Sequence, residues 1–171
     1  DRDGVFPNDF FQSLVDAGWL GIAMPSEYGG TGLGITEAAV MMQAIAESGA
    51  GMSGASAVHI PVFSVQPVVL FGTQEQKARI LPAVLSGKDR VCFAVTEPNA
   101  GLNTTEITTR AERRSGGYMV NGDKIWISTA QVSNKMLLLA GTTPLDQVKR
   151  KTEGLSLFYT DLDRAKIEVR L

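Results

Sequence analysis

The sequence predicts an α+β fold built in two successive regions, helices first and strands second. Three observations carry this. Apolar residues recur at helical spacing as far as Gly87, and after Asp89 they fall into short alternating or continuous runs. Helix-type caps and stops punctuate the first region, and hairpin-type turn residues the second. At 171 residues, with 44% hydrophobic and 20% charged content, the chain suits one compact domain or two small ones rather than a disordered segment. The expected domains are residues 1–89 and 90–171.

In the first region Phe6, Phe10, Leu14 and Ala17 share a helical face, with Pro7 suited to the first turn and Gly18 to the stop. The apolar stretch Trp19 to Met24 leads into Pro25-Ser26-Glu27-Tyr28-Gly29-Gly30-Thr31-Gly32-Leu33-Gly34. Its glycines suggest a phosphate loop, but the spacing is wrong and no βαβ context surrounds it, so it reads as a connecting loop. Thr36 to Ser48 reads as a helix carrying Ala38, Met41, Met42 and Ile45 and ended by Gly49. Met52 to Phe71 is apolar throughout and reads as a buried helix kinked or split where Pro61 and Pro67 remove donors. Thr73-Gln74-Glu75-Gln76 is a capping box that opens a helix presenting Ile80, Leu81, Val84 and Leu85.

In the second region Val91 to Thr96 is an apolar strand and Glu106 to Arg114 a weaker alternating one. Tyr118 to Val120 and Lys124 to Ser128 flank Asn121-Gly122, a type I′ hairpin signal. Met136 to Ala140, Leu155 to Thr160 and Ile167 to Leu171 are three further strands. No turn or polar tail follows the last, so the β-region is expected to be cut short. Asp1 is not an initiator Met and is not expected to be the natural start.

Bulk chemistry excludes several functions. A net charge of −2 gives no broad basic field, and Arg110, Arg113 and Arg114 are an isolated cluster, so nucleic acid is not expected as a partner. The single Cys92 rules out an internal disulfide; in its apolar run it reads as a buried, inert thiol, and a reducing cytoplasm fits best. No apolar run approaches the ~20 residues of a membrane span, and the N-terminus has no signal-peptide pattern. The single His59 reads as a satisfied core or surface imidazole. With one His and one Cys, neither a His/Cys zinc site nor a Ser-His-Asp triad can be assembled.

Chemistry concentrates between Val91 and Ser128. VCFAVTEPNAG runs from an apolar strand into a turn at Thr96 to Gly101, and a later segment delivers Trp126-Ile127-Ser128. Taken alone, Thr96 reads as a strand-end cap, Trp126 as a core tryptophan, Gly101 as a turn glycine and Glu97 as a solvated or locally bonded carboxylate. Together these segments resemble the flavin-binding signature of the acyl-CoA dehydrogenases. Two further stretches are similar to the same family in the same order: Ala17 to Ile22 with Pro25 to Gly30, and Phe71 to Lys77 followed by Leu81-Pro82 and Gly87.

The resemblance implies an all-helical N-terminal domain, then an antiparallel β-barrel or sandwich middle domain, truncated before a C-terminal helical bundle. It implies FAD as cofactor, with Phe93, Val95, Thr96, Gly101, Leu102, Trp126, Ile127 and Ser128 as the residues that bind it, and Gly101 suited to close backbone approach to the cofactor or acyl-CoA. It also gives His59 an alternative reading as a polar group near the acyl pocket. Val95 and Thr96 would meet the pyrimidine edge, where a hydroxyl donor favours reduced flavin. Trp126 would lie against the ring and Ser128 donate to N5. Leu102 would contact cofactor and substrate.

The implied activity is α,β-dehydrogenation of an acyl-CoA, in fatty acid metabolism, with electrons leaving to an electron-transferring flavoprotein. The implied protein is a homo-oligomer, cytoplasmic or, in a eukaryote, in the mitochondrial matrix. The family's glutamate base lies in the C-terminal domain, so no catalytic residue is assigned here and this chain alone is expected to be inactive. Two departures stand out. Leu102 replaces the family's usual serine, leaving Asn103, Thr104 or Thr105 to supply a polar group. Ser128-Thr129 replaces Thr-Asn, keeping a hydroxyl and losing an amide. Acyl-CoA oxidases and flavin monooxygenases of this fold are the alternative chemistry, and a non-enzymatic interaction remnant is the third reading.

Overall fold

A computed structural model describes residues 5–170. They form two units: residues 5–91 with 131–134, and residues 92–130 with 135–170.

The first unit is helical. Helix α1 (Asn8–Asp16) starts after Pro7 and stops at Gly18, whose φ of +74° no helix continues through. Helix α2 (Ile35–Ile45) passes into a wide π turn at Ala46–Ala50, broken by Gly49 at φ +93°. Helix α3 (Gly51–Ser64) follows, then α4 (Gln66–Phe71), with Pro67 in its first turn. Pro61 lies within α3, so the split expected from the two prolines falls at Val65, beside Pro67. The run Ile35–Phe71 is apolar enough, by length and composition, to cross a bilayer. Its backbone breaks divide it into helices of 11, 14 and 6 residues, none near the ~20 a span needs. Helix α5 (Gln74–Leu85) is held by the expected box: Gln76 N donates to Thr73 Oγ1 (3.2 Å) and Thr73 N to Gln76 Oε1 (2.8 Å).

The core of this unit joins Phe11, Leu14, Leu20, Met41, Val58 and Val62. The glycine-rich stretch is a connecting loop. Its amides are consumed internally, Gly30 N on Pro25 O, Thr31 N on Gly21 O and Gly32 N on Met24 O, so it offers no anion cradle.

The second unit is a five-stranded sheet: β1 (Val91–Ala94), β2 (Arg110–Arg114), β3 (Gly117–Asn121), β4 (Lys135–Gly141) and β5 (Leu155–Asp161), in the order β1-β4-β2-β3 with β5 also on β4. The β2–β3 and β4–β5 pairs are antiparallel; β2 meets β4 in one parallel rung, Arg110 with Gly141. Cys92, Ala94, Met136, Leu138 and Leu162 form its core, with Ile127, Phe158 and Ile167 packed against them. Cys92 is a buried thiol whose Sγ donates to Lys135 O at 3.6 Å.

Three expected strand features fall elsewhere. The hairpin turns at Ser115-Gly116, not at Asn121-Gly122: Arg114 pairs with Gly117, and Asn121 is still in register with Arg110. Residues 124–128 are not a strand, because Trp126 has a left-handed φ of +58° that no ladder accommodates. Residues 167–170 are likewise unpaired. Asp163 O accepts from Lys166 N and Ile167 N, closing a turn that sends Ile167 into the core instead of along a sheet edge. Leu171, the end of that expected strand, lies outside the described residues.

Candidate functional site

The site begins where β1 ends. Glu97 and Ala100 exchange both backbone hydrogen bonds at 3.1 Å, so Pro98 and Asn99 form a two-residue tip and the chain reverses. The Glu97 side chain then folds inward. It is 3% exposed and accepts five hydrogen bonds. Oε2 takes Thr108 N (2.6 Å) and Thr108 Oγ1 (2.7 Å); Oε1 takes Thr109 N (3.0 Å), Thr109 Oγ1 and Lys124 Nζ (2.9 Å). Burial pushes this carboxyl up, but the Lys124 ammonium and the threonine donors outweigh it and hold the pKa at about 2. Glu97 is therefore neither solvated nor locally bonded: its partners lie 11 to 27 residues away.

Lys124 has a second bond, to Val95 O at 2.9 Å. Burial lowers its pKa, and the Glu97 charge opposes that shift. One residue on, Ile125 N donates to Thr96 O at 2.9 Å. The segment carrying Val95 and Thr96 is thus tied side by side to the segment carrying Trp126, Ile127 and Ser128. Sequence reasoning missed Lys124. The only signal for it was a cation 27 residues after a carboxylate, a separation no local pattern reads.

The expected site residues divide by orientation. Ile127 packs its half-buried side chain against the β-core, which leaves its backbone for a ligand. That anchor leaves its neighbours facing outward. Trp126 is 86% exposed, which overturns the reading of it as a core tryptophan, and Ser128 is exposed as well. Thr96 and Val95 are half-buried beyond the end of β1. Phe93 is half-buried, on the face of β1 opposite Cys92 and Ala94. Gly101 and Leu102 are exposed, with nothing near enough to limit a side chain at Gly101.

Of the three polar residues after Leu102, Asn103 Oδ1 accepts from Thr105 N (3.3 Å) and Thr105 Oγ1 (2.6 Å). That leaves Thr104 as the hydroxyl of the group with no side-chain partner among the described residues. His59 is exposed on α3, its ring 4.5 Å from that of Phe63. Among the described residues no cluster of His, Cys, Asp or Glu is suited to a metal ion.

Comparison with known proteins matches both units. Residues 1–88 fit the family described as acyl-CoA dehydrogenase, N-terminal domain, and residues 92–171 the one described as acyl-CoA dehydrogenase, middle domain. Similar curated proteins include the mitochondrial isovaleryl-CoA dehydrogenase of Solanum tuberosum, 31% identical over 94% of this chain and 38% of that protein. The acryloyl-CoA reductase (NADH) of Anaerotignum propionicum is 34% identical over 94% of this chain and 40% of that protein. The crystal structure of an acyl-CoA dehydrogenase from Geobacillus kaustophilus superimposes with a TM-score of 0.81 at 28% identity, covering 95% of this chain and 42% of that one. The chain thus spans about two fifths of the length of the relatives it matches.

Proposed function

The chain belongs to the acyl-CoA dehydrogenase family, and from that membership we propose that the full-length protein carries out FAD-dependent α,β-dehydrogenation of an acyl-CoA thioester. The observation that supports this most is the tie between the Thr96 and Trp126 segments. It brings the Thr96 segment alongside the one that carries the exposed Trp126 and Ser128, and Trp126 Nε1, Thr96 Oγ1 and Ser128 Oγ have no hydrogen-bond partner among the described residues. A large aromatic left this exposed, on a backbone conformation that is costly for a residue with a side chain, fits a flat ligand with a polar rim.

FAD is the cofactor of this family, and when bound it accepts the hydride leaving the substrate's β-carbon. Val95 and Thr96 are the residues to hold its pyrimidine edge, Trp126 its ring face and Ser128 its N5. Phe93 and the backbones of Gly101, Leu102 and Ile127 border them. Glu97 is not the base: with both oxygens committed to five donors and a pKa of about 2, it is too weak to take an α-proton. The base is assigned to another part of the full-length protein, and an electron-transferring flavoprotein would be its electron acceptor.

A reductive reaction on the same class of thioester is the second reading, favoured by the 34% identity to the acryloyl-CoA reductase. One anaerobic titration separates the two. Bleaching of the flavin by a saturated acyl-CoA, with formation of the 2-enoyl-CoA, is expected. Bleaching by NADH alone, reversed by an enoyl-CoA, would establish the reductase. A full-length protein that binds no flavin would leave only the interaction remnant.

A further inference from the structure

Resting on that flavin-site reading, we propose that Glu97 and Lys124 are a positioning pair: a buried ion pair that touches no ligand but sets the alignment of the Thr96 edge with the Trp126–Ser128 edge. Neither segment belongs to a sheet ladder. Residues 95 and 96 lie beyond β1, and residues 122–128 form no strand. Their direct backbone link is Ile125 N to Thr96 O. A single link permits rotation about it. Lys124 supplies the second and third points, because one ammonium bonds the carbonyl just before Thr96 and the carboxylate just after it.

Glu97 extends the frame to a third segment through Thr108 and Thr109, just before β2, and Thr109 is the residue against which Gly122 packs. The segments 95–97, 108–109 and 122–125 therefore meet at one carboxylate. The Lys124 and Glu97 side chains are 10% and 3% exposed, too enclosed for direct contact with a large ring. Stability alone does not explain the pair, since a buried ion pair is often matched by apolar residues of similar volume. An apolar side chain at 124, however, cannot bond Val95 O.

That difference supplies the test, made on the full-length protein as wild type, Lys124→Met, and Lys124→Met with Glu97→Gln. Three quantities are measured: thermal midpoint, FAD dissociation constant, and midpoint potential of the bound flavin. Lys124→Met strands a buried carboxylate and is expected to lower both midpoint temperature and FAD affinity. The double variant removes the stranded charge, so its thermal midpoint is expected to recover most of the loss. Its FAD affinity is expected to stay weaker by about tenfold, as for one or two lost alignment bonds, with the potential still displaced. Recovery of affinity and potential together with stability would overturn the proposal.

If the double variant does not fold, Thr109→Val, which removes one donor and keeps the shape, is read in the same assays. Weaker FAD binding with a displaced potential supports the proposal, and unchanged binding overturns it. A wild type that binds no FAD overturns the flavin reading and this inference together. A wild type whose FAD binding is weakened by Trp126→Ala but not by the double variant overturns this inference alone.

Discussion

Gly122 and Thr109 approach so closely that no side chain fits between them: a Cβ on Gly122 would overlap Thr109 Oγ1 and lie 2.6 Å from Thr109 Cβ. Thr109 Oγ1 is also a donor to Glu97, so anything that displaces it loosens the hub joining three segments. Gly122→Ala is expected to destabilise the protein by about 2–4 kcal/mol, combining overpacking with a φ of +156° that disfavours a side chain. Gly116→Ala, at φ +82° with open space around it, is the control and is expected to cost only about 1 kcal/mol. Denaturant melts of the two variants measure the difference; equal losses would mean the Thr109 contact contributes nothing.

The same contact explains where sequence reading succeeded and failed. The helices were legible because their signals are local: Thr73 and Gln76 are three residues apart, and each bonds the other's backbone. The hairpin was misplaced because Asn121-Gly122 and Ser115-Gly116 both carry turn chemistry. Gly122 is required by its packing on Thr109, 13 positions away, which no local window sees. Trp126 and Ser128 were legible as a motif but not in their exposure, which depends on Ile127 entering the β-core. The Glu97–Lys124 pair was invisible because its two halves meet only through the fold.

Acid stability depends on Glu97. Its folded pKa of about 2 lies below the ordinary 4.5, so as pH falls the unfolded state takes up the proton first. The stabilisation is fully present above about pH 4.5 and is lost as pH falls toward 2, by about 3 kcal/mol in all. Denaturant melts between pH 6 and 3 are expected to show this slope in the wild type and a shallower one in Glu97→Gln. Parallel slopes would assign the acid limb to other carboxyls.

Ser128→Ala removes the hydroxyl proposed to donate to flavin N5. Because Ser128 is exposed and bonds no other side chain among the described residues, the thermal midpoint of the full-length protein is expected to stay unchanged. The rate of flavin reduction by acyl-CoA is expected to fall as for a loss of about 1–3 kcal/mol. An unchanged rate would remove Ser128 from the site.

Leu102 is fully exposed, so Leu102→Ser is expected to leave folding stability within about 0.5 kcal/mol. Any change in acyl-CoA affinity then reports a ligand contact alone. Tighter binding, by about 0.5–1.5 kcal/mol, is the outcome expected if the family's serine is simply missing. Weaker binding by about 1–2 kcal/mol would mean that Leu102 covers an apolar part of a different ligand. Titration of both proteins with one acyl-CoA gives the sign.

Tryptophan fluorescence reports on the proposal that the flavin binds against Trp126 and Ser128, beside the Thr96 segment. The described residues contain two tryptophans, Trp126 at 86% exposure and Trp19 at 45%. Titrating FAD into the flavin-free full-length protein is expected to quench tryptophan emission, with the quench retained in Trp19→Phe and largely abolished in Trp126→Phe. A quench that survives Trp126→Phe undiminished would place the flavin elsewhere.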